Sequence, residues 1–231
     1  MSAADRFGDD VFREVSAALV VEESGWAADM ARRATERINR ARSGRSMRTV
    51  VLWTKTDVLG LTLPGRYLYL GRELFSRGLG EPGVAFIVAH EMAHHDLGHL
   101  DRSSQWLNTL DRAGWSIAAL GALVLRVVES IRYQPEHELA ADRRALELCR
   151  AAGYGDEGAR ETFDHLERIL LDWADVDQVL GEDRPGWGQS ELVDILLRTG
   201  HTHPRWWTGA ARCSTSRPRS SSARARRRPA W

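Results

Sequence analysis

Residues 82–98 read PGVAFIVAHEMAHHDLG, and this stretch decides the fold. Pro82 stands where the first turn of a helix has no use for a backbone N–H, so it opens the element rather than breaking it. From Val84 to Ala89 every residue is apolar, and a helix that is apolar all round is a buried one. Gly98 supplies the stop. The stretch therefore predicts a core helix from about Pro82 to Gly98. His90 and His94 lie four residues apart, one turn along the same face. Glu91 is rotated from His90 by roughly 100° at about 3.6 residues per turn.

Two imidazoles at this spacing can grip one zinc ion at about 2.0–2.1 Å. The Glu91 carboxylate can then reach a metal-bound water without itself being a ligand. An HExxH pattern is short enough to arise by chance, so a second constellation must decide. A hydrolytic zinc site needs a third protein ligand and an open fourth position. The extended pattern HExxHxxGxxH would put a histidine at position 100, where the chain has Leu100; His99 falls one residue short and the glycine is displaced. Residues 138–142, ELAAD, offer the alternative. Glu138 and Asp142 are again one turn apart, on a helix expected over 136–152 and closed by Gly153. Glu138 can be the third ligand. Asp142 can accept the N–H of a ligand histidine, His90 foremost, as metal-bound histidines generally require. The competing reading is a solvated acidic face paired with Arg143 or Arg144.

The rest of the chain surrounds these two helices. Phe7 to Arg42 repeats apolar residues at helical spacing, with Ser24-Gly25 a point where it can divide. Residues 48–53, RTVVLW, read as a strand, 56–63 as a strand or irregular turn, and 66–70, RYLYL, as a strand by alternation. Gly71 to Arg77 reads as a short helix or turn. Helices are expected over 105–132, 156–171 and 190–198. His95, His99, His137 and His165 read as surface or structural residues, the His95–His99 pair facing away from His90 and His94. The expected units are an N-terminal helical segment (1–46), a catalytic core (47–205) and a basic disordered tail (206–231).

Composition bounds the function. The chain has 231 residues, 43% hydrophobic and 28% charged, which suits a soluble domain with a sizeable core. Its formal net charge of zero hides an asymmetry: Trp206 to Trp231 holds seven Arg and no acid, leaving the preceding residues at minus seven. That tail reads either as the product of a frameshift in a GC-rich gene, consistent with one Lys against 31 Arg, or as a basic arm for nucleic acid or anionic lipid. No nucleic-acid partner is otherwise expected. Cys149 and Cys213 form no CxxC, so neither a disulfide framework nor a thiolate metal site is implied. Met1 to Asp10 lacks the pattern of a secretory leader, which points to the cytoplasm. Trp115 to Val128 is apolar but contains Arg126 and falls short of the roughly 20 residues a bilayer needs. A core helix is expected there, with peripheral membrane contact left open.

Three blocks together resemble the gluzincin peptidases of the HtpX and type 1 CAAX prenyl endopeptidase family. They are Leu63-Pro64-Gly65-Arg66-Tyr67-Leu68-Tyr69-Leu70, then Ala89 to His94, then Glu138-x-x-Ala141-Asp142. The resemblance implies an α+β, mostly helical, zincin-like metallopeptidase with a small sheet beside the HExxH helix. It implies Zn2+ held by His90, His94 and Glu138, with Glu91 as general base and Asp142 orienting His90. It implies that the Leu63–Leu70 strand is an edge strand that pairs with an extended peptide or unfolded protein. It also implies that His203, in His203-Pro204, stabilises the oxyanion, with His201 as a substitute. After Pro204 the chain departs from the family pattern into the Arg-rich tail. A non-cleaving zinc-binding interaction domain of the same fold is the alternative function.

Overall fold

The computed structural model describes residues 1–53, 60–76, 78–112 and 135–165. The described residues are mostly helical, with one small mixed sheet. In chain order they are α1 (Ala3–Ala18), β1 (Val20–Glu22), α2 (Trp26–Ala41), β2 (Arg48–Trp53), β3 (Gly60–Thr62), β4 (Tyr67–Gly71), α3 (Glu73–Ser76), α4 (Glu81–Asp96), α5 (Asp101–Arg112) and α6 (Pro135–Ala151). Residues 157–165 are also helical. The expected helix over 105–132 is described only as far as Arg112, within α5, and that over 156–171 only as far as residue 165; the Trp115–Val128 stretch, the expected helix over 190–198, His201, His203 and the basic tail lie outside the described residues.

The long N-terminal helix is in fact two. Leu19 leaves the helical region, and Val20 and Val21 are β-branched residues that suit a pleated ladder better than a helix interior. They pair antiparallel with Trp53 and Leu52 as β1. Gly25, with φ 114, then opens α2.

The sheet order is β1-β2-β4-β3. β2 and β4 run parallel, Arg48 opposite Tyr67 and Val51 opposite Leu70, whereas β3 and β4 are antiparallel, Leu61 opposite Tyr69. The expectation that the Leu63–Leu70 strand is an edge is overturned. β4 is interior, with its ladder taken on one side by β2 and on the other by β3. All five of its residues are buried. Leu68 and Leu70 enter the main core, and Tyr67 on the opposite face stacks on Phe12 of α1 at 4.6 Å. A strand apolar on both faces is an interior strand. The edges among the described strands are β1 and β3.

α4 is the axis of the fold. Every residue from Gly83 to His94 is buried, as an all-round apolar pattern demands. α2 lays Ala27, Ala31, Ala34 and Ile38 against it, α6 lies along its other side, and β3 covers its second half. α2 is pinned to both ends of α4. Arg33 Nε donates to Glu81 Oε2 at 2.9 Å, and the buried Arg42 forks onto Asp96, with Nε to Oδ2 at 3.2 Å. Thr162 Oγ1 donates to the Gly83 carbonyl at 3.0 Å, fixing the segment 157–165 across the start of the helix.

Candidate metal centre

α6 buries Glu138, Ala141, Asp142, Ala145, Leu148 and Cys149, a stripe at helical spacing. The polar half of that stripe is N-terminal and faces the histidine half of α4. The apolar half meets the apolar half of α4. The solvated-face reading of Glu138 and Asp142 is thereby excluded, and Arg144 bonds instead to Glu147 at 2.8 Å.

His90, His94 and Glu138 come together, with one ligand-type atom of each within 4.8 Å of the other two. His90 Nε2 and His94 Nε2 are 3.1 Å apart, His90 Nε2 is 3.3 Å from Glu138 Oε2, and His94 Nε2 is 3.5 Å from Glu138 Oε1. Bonds of about 2.0–2.1 Å directed to the corners of a tetrahedron have edges of roughly 3.3–3.4 Å. The imidazole nitrogens and the Glu138 carboxylate, whose Oε2 is the nearer oxygen to His90 and Oε1 the nearer to His94, are thus spaced on the scale of a zinc coordination shell, and two imidazoles with a carboxylate are a donor set zinc takes.

The outer nitrogens are also bonded. His90 Nδ1 lies 2.9 Å from Asp142 Oδ1. A carboxylate only accepts, so His90 donates from Nδ1 and Nε2 is left to the cluster. Burial alone would push the His90 imidazole down. The hydrogen bonds to Asp142 and Glu138 outweigh it and pull the group up to about 10. Buried carboxylates this close favour positive charge beside them, whether the imidazolium itself or a bound cation.

Glu91 is buried but stands outside the donor set, turned towards β3, where its Oε1 sits against Gly60.

His99 departs from expectation. It does not face away: its Nδ1 is 2.9 Å from His94 Nδ1. The cause is the end of α4. Leu97 caps the helix, Gly98 takes φ 72, and the amides of Gly98 and His99 return to the carbonyls of His95 and His94 at 3.2 and 3.0 Å. This is the Schellman closure, which folds the following residue back over the last turn. His137, from the first turn of α6, stacks on the His99 ring at 4.1 Å and 7°. Burial, and then the neighbouring His137, depress His99 to about 4. His95 does turn elsewhere: its Nε2 is 2.7 Å from Thr62 Oγ1 on β3, and burial, helped by Arg42, depresses it to about 4.

Two helices that bring two histidines and a carboxylate together beside a small mixed sheet are the arrangement of a zincin-like, metal-dependent peptidase. Over residues 27–208 the chain matches the sequence model of Peptidase family M48. It belongs to that family, and its function is that of a metallopeptidase. The match begins at α2 and runs past His203. No curated protein matches the chain. Among the described residues no helix is long and apolar enough to cross a membrane.

Proposed function

We propose that the chain is a zinc metalloendopeptidase in which His90, His94 and Glu138 hold the ion and Glu91 is the general base. The observation that carries the reading is the convergence of the two Nε2 atoms, 3.1 Å apart, on the Glu138 carboxylate, whose Oε2 lies 3.3 Å from His90 and Oε1 3.5 Å from His94. Zinc, when bound there, supplies Lewis acidity, polarising a scissile carbonyl and bringing the pKa of water to about 7. The remaining work falls to the protein. Asp142 holds His90 in the tautomer that presents Nε2. Glu91, one residue along the helix from the first ligand, takes a proton from the attacking water and returns it to the leaving amine. Burial of the cluster excludes bulk solvent and strengthens each of these interactions. His203 is the oxyanion donor in this reading.

The substrate is an extended peptide segment of an unfolded protein. It pairs with β3, the edge strand beside α4 among the described strands, in place of the interior β4. Gly60, where β3 passes Glu91, brings that edge over the site.

The test is Glu91→Gln. It should retain stoichiometric zinc and lose casein cleavage by at least about 100-fold, and chelation should abolish cleavage by the wild type. Zinc without cleavage in both proteins supports the non-cleaving alternative. A fully active Glu91→Gln removes Glu91 from the mechanism.

A further inference from the structure

We infer that His99 is a positioning residue that fixes the tautomer of His94, an inference that rests on the metal-binding reading above. The two Nδ1 atoms are 2.9 Å apart. One of them must carry the shared proton, and the choice decides what His94 can do. With the proton on His94 Nδ1, His94 Nε2 is a bare lone pair aimed at His90 Nε2 and Glu138. With the proton on His99 Nδ1, a neutral His94 must be protonated at Nε2 and cannot ligate. His99 therefore serves His94 as Asp142 serves His90, as the acceptor behind the ligand.

Three features hold His99 to this task. Its backbone amide donates to the His94 carbonyl at 3.0 Å, so backbone and ring tie the same two residues. Gly98, at φ 72, makes the turn that permits both contacts. His137 stacks flat on the ring at 4.1 Å and 7° and fixes its plane. His137 precedes Glu138 on α6, so one turn of that helix supplies both a proposed ligand and the brace for the acceptor behind another. A neutral acceptor also suits a site where Glu91, Glu138 and Asp142 already crowd three carboxylates around two imidazoles.

The experiment compares wild type, His99→Phe and His99→Asn, each checked for folding by circular dichroism and thermal melting. Zinc affinity is read by competition with a chromophoric chelator and ligand geometry by the Co(II) visible spectrum. Phe keeps a planar ring against His137 and removes the acceptor; the Asn oxygen can occupy the place of Nδ1. His99→Phe should bind zinc about 10–100-fold more weakly with an altered Co(II) spectrum, and His99→Asn should recover most of the loss. Wild-type affinity and spectrum in His99→Phe overturn the inference. So does a folded His99→Asn as weak as His99→Phe, since an acceptor restored without effect is not what His94 requires. If His99→Phe fails to fold, ring 15N shifts of the zinc-loaded wild type decide: His99 protonated at Nε2 alone supports the role, and a proton on its Nδ1 refutes it. Wild type that binds neither ion overturns the metal-binding reading, and this one with it.

Discussion

At Gly60 an added β-carbon would lie 2.9 Å from Glu91 Oε1 and 3.1 Å from Ile87 Cγ2. Glycine therefore lets the edge strand approach the site helix at the residue proposed to move the proton. Gly60→Ala should displace the Glu91 carboxylate, the flexible partner, rather than the backbone. Misplacing a reacting group by about 1 Å can cost on the order of 100-fold in rate. We expect kcat to fall by roughly 10–100-fold with zinc stoichiometry unchanged. A Gly60→Ala enzyme with wild-type kcat would show that Glu91 has slack there. The sequence does not display this contact, because it depends on where a three-residue strand is laid. His99 was hidden for a related reason: helical counting places it on the wrong face, and only the left-handed turn at Gly98 brings it back. The convergence of His90, His94 and Glu138 was legible, since i and i+4 on each of two helices leave little freedom once the helices pack.

Helix α4 carries Glu81 and Asp96 at its two ends, where Arg33 and Arg42 hold them. Glu81, in the first turn, accepts from Arg33 at 2.9 Å and from the Tyr154 hydroxyl at 2.8 Å. Burial pushes its pKa up, but these two hydrogen bonds prevail and hold the carboxyl below its ordinary 4.5. A depressed folded-state value means that the contribution is complete above 4.5 and is lost as pH falls through the folded value. Glu81→Gln should thus lower stability at pH 7 by no more than about 1 kcal/mol, the pair being screened by solvent. The deficit should close towards pH 3. Urea melts at both pH values check this, and a deficit unchanged at pH 3 would assign the effect to packing rather than charge. The helices themselves were readable, since their apolar periodicity is a local signal. The strand order was not. Pairing β1 with β2 and seating β4 between β2 and β3 are choices between distant segments. The alternating Leu and Tyr of β4 mark a strand without saying who its neighbours are.

Across the whole molecule the site and the core are parts of one packed unit, because α6 belongs to both. Its first turns carry Glu138 and Asp142, and its later turns put Ala145, Leu148 and Cys149 into the cluster shared by α2, α4 and β4. Metal binding stabilises whatever conformation assembles the ligands, by an amount set by occupancy. A cation at one end of α6 should therefore protect the thiol at the other. Cys149 is buried, and desolvation, followed by Asp156 and Glu157, pushes it up to about 12. At pH 8 the folded protein holds it as an inert thiol, because only the thiolate attacks. Iodoacetamide should leave Cys149 unmodified in the zinc-loaded protein and label it fully in denaturant. Labelling should be measurably faster once a chelator has stripped the ion. Peptide mapping reads the Cys149 site separately from Cys213. Equal rates with and without chelator, both far below the denatured rate, would mean that the core holds α6 in place without the metal. The two ends of the helix would then be energetically independent. Acceleration on chelation would instead mean that Glu138, as the proposed ligand on α6, helps to hold the core together, so that losing the ion weakens the fold as well as the catalyst.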